Sequence, residues 1–178
     1  MKRYLIAAII AVSTTGCNTE PSLQKYFVEN TENKNFIALD VSPSILNLDQ
    51  TKMSLEQRVA VKSFDKMNVL AFKVNDSNKA QFKVEREKVA KILKDEKYKQ
   101  LIKFGSGKEG AAVSFVGDDE HIEEFVLFAN KEDAGFAVVR ILGKDMNPTN
   151  IMTMMSALKN SNMNLDQLKP LQQLLEKK

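Results

Sequence analysis

Residues 117–124, GDDEHIEE, bring five carboxylates and the only histidine of the chain into eight positions. That composition suits a divalent cation, or a general acid and base. The spacing argues against both. Zinc sites draw on several nitrogen or sulfur ligands, and His121 stands alone. The carboxylates lack the spacing of a calcium-binding loop, and alternation along a strand sends Glu123 and Glu124 to opposite faces. The stretch reads as an acidic β-turn leading into a strand.

A second stretch, GSGKEG at residues 105–110, matches GxGxxG letter for letter. In a nucleotide site those glycines lead into a helix whose N-terminus holds pyrophosphate. Here Gly110 opens AAVSFV, whose composition and length are those of a strand, and Lys108 is followed by Glu109 rather than by Ser or Thr. A hairpin loop is the expected structure. No GxSxG nucleophile elbow occurs, and one histidine without an orienting acid makes no triad. Two-carboxylate glycoside hydrolysis is open on residue content alone, but the chain has no Trp for a sugar platform. No catalytic residue, cofactor site or metal site is assigned.

Cys17 is the one cysteine, and its surroundings give it a chemistry. Lys2 and Arg3 precede an apolar run from Tyr4 to Val12, followed by Ser13, Thr14, Thr15 and Gly16. This order is that of a secretory signal peptide. Nine residues of helix rise about 13 Å against a hydrocarbon core of about 30 Å, too short to span it. With Thr15 and Gly16 before it, Cys17 looks like the lipobox cysteine of a bacterial lipoprotein, whose thiolate receives a diacylglyceryl group. Thr14 stands where Leu is commonest. Two acyl chains anchor a protein stably where one does not. Asn18 in place of an aspartate favours the outer membrane, with the periplasmic or outer face left open.

Composition narrows the rest. The 26 basic and 23 acidic residues are nearly balanced once Lys2 and Arg3 leave with the leader, so no nucleic-acid partner is expected. A lone cysteine allows no intrachain disulfide, and packing must supply the stability.

The elements follow from periodicity. Ser22 precedes a short helix with Leu23, Tyr26 and Phe27 on one side, and FIALDVS at 36–42 reads as a strand with apolar residues on both faces. SPSILNL begins with a Pro turn. SLEQ at 54–57 is a capping box, ahead of Leu55, Val59, Ala60 and Phe64 at helical spacing. NVLAFKV at 68–74 is a second strand. A charged helix is predicted from Lys79 to Lys99, with Phe82, Val89, Ile92 and Leu93 inward, and with Glu87–Lys91 and Asp95–Lys99 pairs outward.

LIKF, AAVSFV, IEEFVLFA and GFAVVRIL then alternate with Gly- and Asp-rich turns, the pattern of hairpins. FAVVRIL is apolar on both faces apart from Arg140, as a central strand should be. A closing helix starts at Asn147–Pro148, and its Ile151, Met154, Met155 and Leu158 form a stripe expected to dock on the sheet. The tail holds Leu165, Leu168, Leu171 and Leu175 around Pro170. It either packs on the domain edge or offers an apolar face to a partner.

The order of these features is familiar. Lipobox cysteine, SLQKYFVENTENKNFIALDVSPSIL, and EEFVLFANKEDAGFAVVRILGKDMNPTNI ahead of a last helix resemble a family of small lipoproteins with a domain of unknown function, widespread in Bacteroidetes. The resemblance runs from about Ser22 to Leu158. It implies a location and a domain type, and it carries no catalytic residue.

The expected architecture is a single α+β domain, an antiparallel-rich sheet with helices packed mainly on one face. Its parts are a leader at 1–16, a lipidated tether at 17–21, the domain at 22–160 and a helical tail at 161–178. The expected role is non-enzymatic: an envelope binding or scaffold module held to the lipid bilayer through acylated Cys17, with an envelope protein as partner. An envelope signal-sensing regulator is the alternative, and a hydrolase ranks below it.

Overall fold

Local signals set most element boundaries in the computed structural model, which describes residues 21–42, 51, 53–106, 109–149 and 151–153. Ser22 is extended, and its Oγ accepts from the Lys25 amide at 3.2 Å, so helix α1 (Leu23–Asn30) starts with an orphan donor satisfied. At its end the Asn30 Nδ2 and Thr31 Oγ1 groups donate to the carbonyls of Tyr26 and Phe27. Strand β1 (Phe36–Val41) sends Phe36 to one face and Leu39 and Val41 to the other.

Helix α2 (Leu55–Lys62) begins at the capping box. Ser54 Oγ accepts from the Gln57 amide at 3.2 Å, and Gln57 Oε1 accepts from the Ser54 amide at 2.9 Å. Its inward face differs from the predicted one. Ala60 and Val61 are buried, while Leu55 and Val59 are 72% and 52% exposed. Phe64 belongs to no helix; it opens strand β2 (Phe64–Lys73). Ser63 alone joins the two elements, so the side of α2 nearest that junction is the side turned to the sheet.

Helix α3 (Lys79–Ile92) also departs from expectation by ending at Ile92. Three-residue turns close behind it, from the Lys94 amide to the Lys91 carbonyl and from the Tyr98 amide to the Asp95 carbonyl. Lys99 therefore starts strand β3 (Lys99–Gly105), and its Nζ donates to the Gly117 carbonyl at 2.8 Å. The predicted helical pair of Asp95 with Lys99 is absent for that reason.

Strands β4 (Glu109–Gly117), β5 (Ile122–Lys131) and β6 (Gly135–Met146) complete a meander. The sheet order is β1-β2-β6-β5-β4-β3, with every neighbour antiparallel. β6 is interior, as its two-sided apolar sequence requires. Between β2 and β3 lie four strand spacings, about 19 Å, and fourteen residues of α3 rise about 21 Å. The helix is long enough to carry the chain from one side of the sheet to the other edge. The β5–β6 turn needs glycine at 135, because φ is +132° and a Cβ there would lie 1.9 Å from the Phe72 carbonyl oxygen.

The larger core lies between the sheet and helices α1 and α3. Phe72 and Phe136 stack at 5.6 Å, and Phe36 meets both edge-on at 5.1 and 6.0 Å. Each such pair adds about 1 kcal/mol beyond area burial. On the opposite face Ala60 packs with Val41 and Phe64, and Ile151 packs beside Ile141. The chain is helical at 148–149 and 151–153, with the Ile151 amide bonded to the Asn147 carbonyl at 3.3 Å. The result is one α+β domain, with the longer helical cover, α1 and α3, on one face of the sheet and α2 and the helical residues 151–153 on the other. No helix among the described residues is long and apolar enough to cross a membrane. The predicted leader, Cys17, the Pro turn at 43, Met154, Met155, Leu158 and the tail at 161–178 lie outside the described residues.

Candidate functional site

The two motifs that invited a chemical reading are both turns. Gly105 pairs with Gly110 across β3 and β4, and the Ser106 amide donates to the Glu109 carbonyl at 2.7 Å. GSGKEG is thus a hairpin loop with Gly105 at φ +83°, and residues 107–108 lie outside the described set. No helix N-terminus follows it.

In GDDEHIEE, Asp118 Oδ1 accepts from the amides of Glu120 and His121 at 3.1 and 2.8 Å. Those two donors hold its carboxyl below the usual range. His121 Nδ1 lies 2.8 Å from Asp145 Oδ1, and that hydrogen bond, with the charge of Asp118 next, raises the imidazole above its ordinary value. Asp145 reaches it from a left-handed backbone, φ +50°. All of these side chains are exposed. Among the described residues no three His, Cys, Asp or Glu side chains gather as a metal site. Glu123 and Glu124 do face opposite ways, Glu123 to solvent and Glu124 toward the interior.

Glu124 belongs to a polar cluster that the sequence reading did not assemble. Arg140, 4% exposed, donates through Nε to Glu124 Oε1 at 2.7 Å and through Nη1 to Gln24 Oε1 at 2.7 Å. Its guanidinium carbon sits 5.4 Å from the centre of the Phe27 ring. The cluster clips α1 to β5 and β6. A second cluster clips α1 to α3: the Tyr26 hydroxyl donates to Glu85 Oε2 at 2.9 Å, and Lys88 Nζ to Glu85 Oε1 at 2.8 Å. Burial, then the hydrogen bond to Glu85, pushes the Tyr26 hydroxyl far above its usual range. Burial pushes that of Tyr98 up to about 12. The signal for Glu85 was present in the spacing Phe82, Glu85, Val89, Ile92, which is one helix stripe.

Glu85 therefore faces a cation and a neutral donor, and Glu124 faces two nitrogens of the Arg140 guanidinium, both in packed settings that join elements. An open cleft of about 290 Å³ lies beside the second cluster, lined by Pro21, Lys25, Glu29, Lys88 and Lys91 among others. Lys25 and Lys88 already pair there with Glu29 and Glu85.

The most extended chemical feature is the sheet face turned away from α1 and α3. The register aligns Leu39, Val69, Val139, Leu127, Val113 and Ile102 in one row across all six strands. The next row is Ile37, Ala71, Ala137, Ala129, Ala111 and Phe104. On the other side lies a row of Val41, Met67, Ile141, Phe125, Phe115 and Lys99. Seventeen of these eighteen positions are apolar. Four consecutive alanines make the middle of one row shallow.

Burial falls across the face. Val69 and Ala71 on β2 are 2% and 1% exposed, whereas Leu127 on β5 is 38% exposed, and Ile102 and Phe104 on β3 are 50% and 57% exposed. The exposed apolar side chains therefore gather toward the β3 side of this face. Single strands advertised alternation, but the rows depend on register across strands far apart in sequence, which no local pattern carries.

Comparison with known proteins gives one family. Residues 26–154 match the family described as Domain of unknown function (DUF4252). No curated protein and no solved structure matches the chain.

Proposed function

The chain belongs to the DUF4252 family, whose description assigns no activity, and from that premise we propose that it is a membrane-anchored envelope lipoprotein that binds a partner non-enzymatically. The anchor is Cys17, acylated after removal of residues 1–16. The partner surface is the open half of the apolar sheet face, around Leu127, Ile102 and Phe104. This reading also assigns the chain to the Bacteroidetes lipoproteins it resembles, and to the outer membrane on the strength of Asn18.

The observation that carries the proposal is the placement of that face across the sheet from α1. Four residue steps lead from Cys17 to Pro21, an extended reach of about 14 Å. An anchor that short keeps the start of α1 close to the lipid surface. The apolar rows lie on the other side of the sheet, where a protein partner has access to them.

The test has two arms in native membranes. Cys17→Ala should move the folded protein from the membrane to the soluble fraction, and equal retention would overturn the anchor. A photo-crosslinker at Ile102 should give one discrete adduct that is lost when Phe104→Asp and Leu127→Asp are introduced together. Persistence of the adduct in that variant would remove the face from the proposal.

A further inference from the structure

An open groove of about 260 Å³ runs between α3 and the β3–β4 part of the sheet, on the face opposite the apolar rows. Its position follows from the register. Helix α3 shares a core with Val126 on β5 and Val138 on β6 through Phe82, Val89 and Ile92. Ser114 is aligned with Val126 and Ala112 with Phe128, so both point to the helix layer from β4, one strand outside that core. Gly110 and Ala112 are too small to fill the space they face.

The lining carries one sign of charge. Arg86 and Lys94 reach it from α3 and Lys103 from β3, and among the described residues no carboxylate lines it. Unlike Lys25 and Lys88 in the cleft beside α1, these three cations form no ion pair among the described residues. The Arg86 guanidinium carbon lies 5.5 Å from the centre of the Phe82 ring. Packing on an aromatic face therefore positions it and leaves its N–H groups for an anion. The floor also holds unused hydrogen-bonding capacity. Ser114 is 6% exposed and its hydroxyl has no partner among the described residues, and the buried Asn130 Oδ1 receives no donor from them. Ala90, Leu93 and Phe128 add apolar wall. Apolar walls with a few convergent polar groups make a small-ligand site, and a cleft of one charge sign concentrates the other.

We infer that this groove binds a small organic anion with a short apolar body and a hydroxyl group. The anionic group meets the cations, the body lies on Ala112 and Phe128, and the hydroxyl supplies the donor that Asn130 Oδ1 lacks. The site lies across the sheet from the proposed partner surface and goes beyond the function proposed above.

The experiment titrates β-hydroxyoctanoate into the isotopically labelled full chain carrying Cys17→Ala, at low salt, and follows backbone amides by NMR. Saturable shifts are expected at Ala112, Ser114 and Asn130. The affinity should exceed that for octanol, which lacks the charge, by about tenfold, and that for octanoate, which lacks the hydroxyl, by about fivefold. Arg86→Gln with Lys103→Gln should erase the first advantage, and Asn130→Ala the second. Equal affinity for octanol and β-hydroxyoctanoate would overturn the anion site, and so would shifts that never saturate or that fall outside the groove. Equal affinity for octanoate would remove the hydroxyl from the ligand. The three-ligand comparison on the unaltered groove decides these points even if a variant fails to fold. Neither acylation nor the apolar rows enter the titration, so its outcome and that of the proposed function are read separately.

Discussion

Arg140 ties α1 to β5 and β6, because it is buried with Glu124 and Gln24 on its donors and the Phe27 ring beside it. Arg140→Ala leaves the Glu124 carboxylate, 12% exposed, without its counter-charge. The expected loss is about 3 kcal/mol in urea unfolding. Replacing both residues, Arg140→Met with Glu124→Leu, should recover most of that loss, because no charge is then left buried. His121 gives a pH test. Its folded-state value is raised above 6.5 by Asp145 and Asp118, so its contribution to stability is complete below the unfolded value and is lost as pH rises through the raised folded one. NMR titration of the imidazole should place its midpoint above the ordinary value, and Asp145→Asn should bring it down. The sequence marked Arg140 as the odd residue in FAVVRIL, but its partners lie 16 and 116 positions away, beyond what any local pattern reports.

At the scale of elements, helix starts were legible, and so was the end of α1 in the polar run 29–35, but the end of α3 was not. Ser22 and Ser54 cap α1 and α2 as their sequences imply, because a cap is a contact among residues three apart. Ser54→Ala should cost about 1 kcal/mol by thermal or urea unfolding, with the sheet unchanged. The end of α3 was overrun because KILKDEKYK is rich in Lys, Leu and Glu and holds no Gly or Pro to stop a helix. What stops the helix is the demand for Lys99 at the start of β3, a tertiary requirement that propensity does not contain. The same cause misassigned the inward side of α2. Its Leu55 and Val59 satisfy helical periodicity, but the one-residue link to β2 decides which side meets the sheet.

For the whole molecule, the succession of hairpins and the interior position of β6 followed from alternation and from two-sided apolarity. The insertion of β6 against β2, and so the alignment of three apolar rows across six strands, did not. That alignment turns eighteen scattered residues into one surface, on the layer of the sheet opposite α1 and α3. It also imposes an order of events on the newly made chain. β6 occupies the middle of the sheet yet comes last in chain order among the described strands, and within the sheet it joins the β1–β2 hairpin to the β5-β4-β3 ribbon. With everything up to Lys131 released, the described strands can pair only as the β1–β2 hairpin and the β5-β4-β3 ribbon, linked through α3 and not yet through the sheet. The sheet becomes continuous only once Gly135–Met146 has emerged and paired along both of its edges.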